Sequence, residues 1–566
     1  MKIAERFVAV ALTASGAWGS SAEEADVVIY GSTPGGIAAA VQAKRMGRSV
    51  VLLEPTDRIG GLTTGGLGQT DIGNKAAFGG IARSFYADIA KHYAKDGSWR
   101  WEKRTDYLPD GQCAGTKGSE TMWTFEPSAA LAVLTEWERR EGIRIIRNAK
   151  LDREKGKVKV EEVEVEGRGR QRRIISLATE DGTEYAGKMF VDATYEGDLM
   201  AAAGVRYTVG REANSTYGET LNGMQPIGHP HHNFDVPVDP YVVKGDPRSG
   251  LLPGIESEPM GSVGAGDRRV QAYCFRMTLT DKPENRIPFV KPDGYDERDY
   301  ELLFRYYEGG AERFGLPWIN SRMPNRKTDT NNRCGFSTDF IGQNHAWPDA
   351  SYAEREKIFA AHLKYQQGLM WTMANHPRIP ESVRAVYSKW GMCRDEFTAT
   401  GGWTPQLYVR EARRLVGDYV MTEANCVKDR AAPYPVALAA YQMDSHNVRR
   451  YVTSEGHVRN EGDVEVGCSK GPFGIDYGAI VPKRGDCANL FVPVCLSASH
   501  IAFGSIRMEP VFFALGQAAG TAAALSIADG CAVQDLDYAK LRARLLADGQ
   551  RLPAEPFAAR GSTGTR

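Results

Sequence analysis

The chain has 566 residues, 42% of them hydrophobic and 25% charged, the values of an ordinary soluble globular protein. That length points to two or more lobes. With 70 basic against 71 acidic side chains, the net charge of −1 excludes any bulk electrostatic drive towards nucleic acid or an anionic membrane.

The first 22 residues read as a secretion signal. Lys2 and Arg6 precede a short apolar run, Phe7 to Gly19, and Ser20-Ser21-Ala22 supplies small residues for cleavage. The run is too short to span a bilayer, and no twin-arginine pair precedes it. Export to the periplasm or the exterior is therefore expected. No other stretch reads as long and apolar enough to cross a membrane, so no integral membrane segment is expected in the mature chain. A strand over Asp26–Tyr30, a tight turn over Gly31–Gly36, a helix over Ile37–Met46 and a strand over Ser49–Glu54 make one Rossmann unit. A helix from Pro127 to Gly142 and a strand at Ile143–Asn148 follow. Lys157 to Ala186 alternates charged and apolar residues, as in an antiparallel meander with one wet face. The basic run from Arg168 to Arg173 reads as its solvated hairpin tip. A buried strand, KMFVDAT, comes next.

Residues 215–465 change texture, with frequent proline, aromatic and asparagine residues. They read as an inserted substrate lobe. Helices are predicted there over YAEREKIFAAHLKYQQGLMWTMA and YVREARRLVGDYVM. Dinucleotide-like sequence then returns: NLFVPVCLS reads as a strand and EPVFFALGQAAGTAAALSIADG as a small-residue helix. The expected organisation is a discontinuous nucleotide-binding domain, 23–214 with 466–535, around a lobe at 215–465. The tail over 552–566 has little to bury and reads as disordered. The nine cysteines are scattered without a C-x-x-C pair, which gives no support to zinc. Cys495, in an apolar run, reads as a buried thiol.

The GSTPGG turn follows a strand and opens a helix. Gly31 permits the tight turn, Gly36 permits close helix–strand packing, and Thr33, Pro34 and Gly35 lie between them. Thr33 stands where the usual middle glycine would be. Backbone N–H groups at such a helix start, with the helix dipole, bind a pyrophosphate. Glu54 ends the second strand, where a carboxylate accepts hydrogen bonds from a ribose diol and disfavours a 2′-phosphate. RIGGLTTGGLGQTD follows, with Arg58, Gly60, Gly61 and Thr64. Later come FVDATYEGD, with Ala193, Thr194 and Gly197, and Ser497–Ala524, with Gly516 and Ala519. In this order the segments resemble those of two-dinucleotide-binding-domain flavoproteins. More closely, YVREARRLVGDYVMTE, YQMDSHNVRR, LFVPVCLSASHIAFGSIRMEP and ALGQAAG resemble the FAD-dependent oxidoreductase family, over about residues 25 to 530. Some of its members are labelled xanthan lyase. The resemblance implies FAD and an α/β, Rossmann-like FAD-binding domain of glutathione-reductase or fumarate-reductase type with an inserted α+β lobe. It also implies that the last helix N-terminus points at the flavin pyrimidine. Fumarate-reductase relatives often tether flavin through a histidine near the second glycine motif. LTTGGLG has none, so the FAD is expected to be non-covalent.

Flavin chemistry needs a base and a cation to hold substrate oxygen. His500 and Arg507 sit between the last strand and last helix. They read as base and anchor, or as a structural histidine and an arginine that packs the cofactor. Arg410, Arg413 and Arg414 share the predicted helix with Glu411, either facing an anion or forming a solvated face. His446, in Asp444-Ser445-His446-Asn447, is a second candidate base or a buried hydrogen-bonded histidine. Tyr477 is a candidate donor or lid, or a core tyrosine. His229, His231 and His232 match no structural zinc spacing, so no metal is expected. GSVGAG at 261–266 lacks a preceding strand, which leaves direct reduction by NAD(P)H unsupported. The expected reaction is hydride transfer from a small polar molecule, sugar or uronic-acid derived, to flavin and on to an electron acceptor. An amine or amino-acid oxidase, a xanthan-lyase-like protein and a non-catalytic flavin carrier are the alternatives.

Overall fold

The computed structural model describes residues 22–554, apart from 70, 115–117, 166–168, 227–229, 312–317 and 469. The expected secretion signal, Arg168, His229 and the tail from 555 onward lie outside the described residues; the rest of the expected hairpin tip, Arg170 to Arg173, belongs instead to the strand Gly169–Ala178, where it pairs with Glu161 to Glu164. The main sheet comprises β1 (Glu23–Tyr30), β2 (Val50–Leu53), β3 (Arg144–Ile146), β4 (Val158–Val165), β5 (Gly169–Ala178) and β6 (Glu184–Asp192). Their spatial order is β3-β2-β1-β6-β5-β4, and the short strand Leu490–Phe491 also pairs with β6. β3, β2, β1, β6 and Leu490–Phe491 are parallel, whereas β4 and β5 form an antiparallel meander with β6. Along the central strands alternate residues enter different cores. Val27, Ile29, Val50 and Leu52 face one, while Val28, Tyr30, Val51 and Leu53 face the other. Cover on both faces explains why these strands are unbroken apolar runs.

α1 (Pro34–Arg45) starts three residues earlier than its apolar pattern predicts, because Thr33 caps it: the Thr33 Oγ1 accepts from Gly36 N at 3.4 Å. α2 (Gly61–Thr64) and α3 (Pro127–Glu141) follow, and α3 ends at Gly142 in the left-handed region. A second sheet contains β7 (Met277–Thr280), β8 (Arg286–Ile287), β9 (Trp318–Met323), β10 (Lys327–Asn332) and β11 (Gly391–Cys393). It is antiparallel throughout, in the order β9-β10-β7-β11-β8. An aromatic-rich core that includes Tyr300, Phe336 and Tyr365 packs around it. α4 (Tyr352–Asn375) opens with a capping box between Ser351 and Glu354.

Two expectations fail here. YVREARRLVGDYVM is not a helix: its middle forms β12 (Arg413–Leu415), antiparallel to Tyr207–Val209. Its arginines go separate ways. Arg410 pairs with Asp339, Arg413 with Asp198, and Arg414 with Glu212 and Glu411. Tertiary ion pairing therefore overrides a helical period that only sequence neighbours would support. NLFVPVCLS shortens to Leu490–Phe491, since Pro493 has no N–H for a ladder.

Later in the chain come β13 (Met443–Ser445), β14 (Val464–Val466), α5 (His500–Ile506) and α6 (Glu509–Asp529), and a last helix spans Tyr538–Ala547. Against expectation, α6 is long and apolar enough to cross a membrane, yet 83% of its apolar window is buried inside the fold. It lies against α1 through glycines four residues apart. A Cβ on Gly516 would sit 2.1 Å from Gly35 O, and one on Gly520 would sit 2.5 Å from Ala39 O. Gly516→Ala must force these two backbones apart. It is expected to cost about 1–3 kcal/mol of stability, read as a lower denaturant midpoint at unchanged slope.

Asp198 ties the two sheets' neighbourhoods together. Arg355 from α4 (2.6 Å), Arg413 from β12 (2.7 Å) and Arg153 (3.1 Å) all reach its carboxylate. Burial opposes its ionisation, but the three guanidinium groups outweigh that and hold its pKa at about 2, below the ordinary 3.8. The stabilisation is thus complete above the ordinary value and is lost as pH falls through about 2. Asp198→Asn is expected to cost about 3 kcal/mol at neutral pH by stranding buried cations. It should also flatten the acid loss of the thermal midpoint; an unchanged acid slope would contradict the assignment.

Candidate functional site

A cleft opens beyond the C-terminal ends of β1, β2 and β6, where ligands bind in parallel sheets of this kind. Gly31, Thr33, Glu54, Gly61 and Thr194 line it, as the motifs imply. Gly31 has φ +96°, and a Cβ there would lie 2.8 Å from Ala193 C, so only glycine makes the turn. Thr33 Oγ1 donates to Ala193 O at 2.7 Å, which locks the turn onto the strand end. Thr33, the N-cap of α1, lines the cleft, which brings the positive end of the helix dipole to it for an anion. Glu54 accepts from the N–H and hydroxyl of both Ser32 and Thr56. Burial raises its pKa and these four bonds oppose the rise. Two of the donors are rotatable hydroxyls whose places a ribose diol can take. Trp347, Tyr352 and Phe359 add flat apolar walls. The donor set, the walls and the anion-seeking helix start fit a dinucleotide.

Gln406 and Leu407 also line the cleft. Thr404 Oγ1 donates to Gly65 O at 2.7 Å, and a Cβ on Gly66 would lie 2.1 Å from Arg276 O, so the GGLG loop is clamped. Tyr195, also in the cleft wall, accepts from Leu62 N (2.9 Å) and donates to Glu509 (3.0 Å). Thr63 donates to the same carboxylate at 2.7 Å. Glu509 opens α6 and is pushed up to about 7 by burial.

Arg507, just before α6, donates to the Tyr408 hydroxyl at 3.0 Å and to Asp444 O at 3.1 Å. Arg410 pairs with Asp339 at 2.9 Å and lies 4.5 Å from the Tyr408 ring centroid. Arg276 holds Asp329 at 2.7 Å and lies 5.7 Å from the same centroid. Three buried guanidinium groups therefore surround Tyr408. His446 Nδ1 lies 2.8 Å from Asp339, and its Nε2 lies 3.6 Å from Asp444. Burial and Arg410 press the His446 pKa down to about 3, so the ring is neutral. Burial lifts Asp444 to about 7; Arg507 opposes the rise, and Asp71, Glu465 and Asp463 add to it. Among the described residues, Arg410 Nε, Arg507 Nε and Asp444 Oδ1 are buried without a hydrogen-bond partner.

A family described as FAD dependent oxidoreductase matches residues 26–545. The chain belongs to this family. The donor set and walls of the cleft fit the FAD that this family description names. Among curated proteins none matches. Solved structures are similar over about a third of the chain. A variant flavin monooxygenase from Stenotrophomonas maltophilia is 17% identical over 34% of this chain and 42% of its own, with a TM-score of 0.19. THI4 from Thermovibrio ammonificans is 17% identical over 35% and 71%, with a TM-score of 0.23. A 3-ketosteroid-delta4-(5alpha)-dehydrogenase from Rhodococcus jostii RHA1 is 18% identical over 32% and 48%, with a TM-score of 0.18. The chain thus spans less than half the length of the first and third of these.

The structure redistributes several of the motif residues. Arg58 donates twice to Thr64 O and stacks on Phe397, bracing the loop from outside the cleft. Gly60 has φ +93°, and Thr64 Oγ1 donates to Ile59 O, so both shape that loop. Pro34, Gly35 and Gly36 form the buried first turn of α1 with Ala193 buried beside it, and Gly197 starts the helix at Asp198. Gly516 packs on α1, and Ala519 is fully buried in the same core; neither lines the cleft. His500 is engaged at both nitrogens, by Glu411 (2.7 Å) and Ser445 (3.0 Å), so neither is left for a substrate proton. Tyr477 donates to Val533 O at 2.6 Å and packs near Phe491, as a core tyrosine. Arg507, Arg410 and His446 do converge. Tyr408 and Asp444 were within reach of sequence reasoning, since they lie in the segments that carry Arg410 and His446. Arg276, Asp329 and Asp339 carry no local signal.

Proposed function

We propose that this oxidoreductase removes hydride from a hydroxyl-bearing carbon of a small polar substrate that also carries a carboxylate, of uronic-acid or sugar-acid type. The supporting observation is the buried cluster around Tyr408, with unpartnered Nε donors on Arg410 and Arg507 beside an unpartnered Asp444 oxygen. Bound FAD supplies the two-electron acceptor. Arg507 and Arg410 hold substrate oxygen and fix the reacting carbon. Asp444 Oδ1 takes the hydroxyl proton as the C–H bond breaks. His446, neutral and oriented by Asp339, contributes a ring nitrogen on the same side of Asp444. This reading has FAD held without a covalent bond; among the described residues, neither histidine nor cysteine lines the cleft.

Anaerobic bleaching of the yellow protein by uronic acids, sugars, hydroxy acids and amino acids tests the reading. Bleaching by a hydroxylated carboxylate is expected. Asp444→Asn should slow it about a hundredfold with FAD content unchanged. Arg507→Met should raise the half-saturating substrate concentration at least about tenfold. Bleaching by amines alone, indifferent to both substitutions, would overturn the proposal in favour of amine oxidation.

A further inference from the structure

His231 and His232 end a single turn, Pro230–His232, and the spacing of these histidines matches no structural zinc pattern. The fold brings a third donor from 234 residues further along the chain: Glu465, in β14. His231 Nε2 lies 3.2 Å and His232 Nδ1 3.5 Å from the same oxygen, Glu465 Oε1. The donor atoms of all three side chains lie within 4.8 Å of one another. Tetrahedral bonds of about 2.0–2.1 Å put neighbouring donors about 3.4 Å apart, close to the two distances from Glu465 to the histidines. Asp463 Oδ1 sits 2.8 Å from His232 Nδ1 and adds a second carboxylate. Asp444 lies opposite Glu465 in the pairing of β13 with β14, so three carboxylates share this edge.

We propose that His231, His232 and Glu465 bind one divalent metal ion of the zinc class. Two imidazoles and a carboxylate are the donors of open zinc sites, which keep a fourth position for water or a ligand oxygen. The site adjoins the arginine cluster, because the His232 ring stacks at 5.8 Å on that of His446. It is independent of the substrate reading: a metal here does not require that Asp444 take a proton.

The FAD-loaded protein, stripped with EDTA and titrated with Zn2+, tests the proposal. Saturable uptake of about one equivalent is expected. His231→Ala and Glu465→Gln should each weaken it at least about tenfold while flavin absorbance and melting temperature stay near those of the parent. His92→Ala, outside the cluster, should bind as the parent does. In Co2+-loaded protein, visible bands of tetrahedral cobalt should appear and be lost in Glu465→Gln. The proposal is overturned if uptake is non-saturable, or if His231→Ala and Glu465→Gln bind Zn2+ as tightly as the parent. The same holds if the His92 variant loses binding equally.

Discussion

The site depends on one close approach of backbones, α6 against α1 at Gly516 over Gly35 and Gly520 over Ala39. Side chains at these glycines would hold the helices apart by the width of a methyl group or more. The contact joins residues more than 480 positions apart in sequence, and it fixes where α6 begins. Because α6 begins there, Glu509 reaches Thr63 and Tyr195, and Arg507 reaches Tyr408. The cleft and the arginine cluster are neighbours as a consequence of helix packing rather than of any local motif.

A second constraint is electrostatic. Arg276, Arg410 and Arg507 are all buried, which is costly unless each cation finds an anion. Asp329 and Asp339 satisfy the first two closely, whereas Asp444 stands 3.7 Å from Arg507. The looser pairing leaves positive charge near Tyr408 incompletely matched and a carboxylate with a free oxygen. A polar, anionic ligand completes such an arrangement, and an apolar one leaves it unsatisfied.

Much of the nucleotide-binding fold was legible in the sequence, since its signals are local. GSTPGG between an apolar strand and an alanine-rich helix, Glu54 at a strand end, and Pro510 opening a small-residue helix each follow from backbone requirements. The failures share a cause. Helical spacing at Arg410, Arg413 and Arg414 looks like one face, but each arginine is claimed by a partner from a different element. His500 looked exposed to the reaction by its place in a motif, yet Glu411 and Ser445 enclose it. Gly516 and Ala519 lie in a motif associated with the cofactor, but Gly516 serves the helix contact and Ala519 is buried in the core. Asp339, Arg276 and Glu465 acquire their neighbours only through the fold, and no spacing in the chain announces them.

In the proposed arrangement one FAD molecule runs from Glu54, past the α1 N-terminus, to Arg507. A crystal structure of the protein with FAD bound tests it most directly. The diphosphate is predicted against the first turn of α1 and the isoalloxazine beside Arg507 and Tyr408. A diphosphate seated away from α1, or a ring on the far side of α6 from Arg507, would contradict the account.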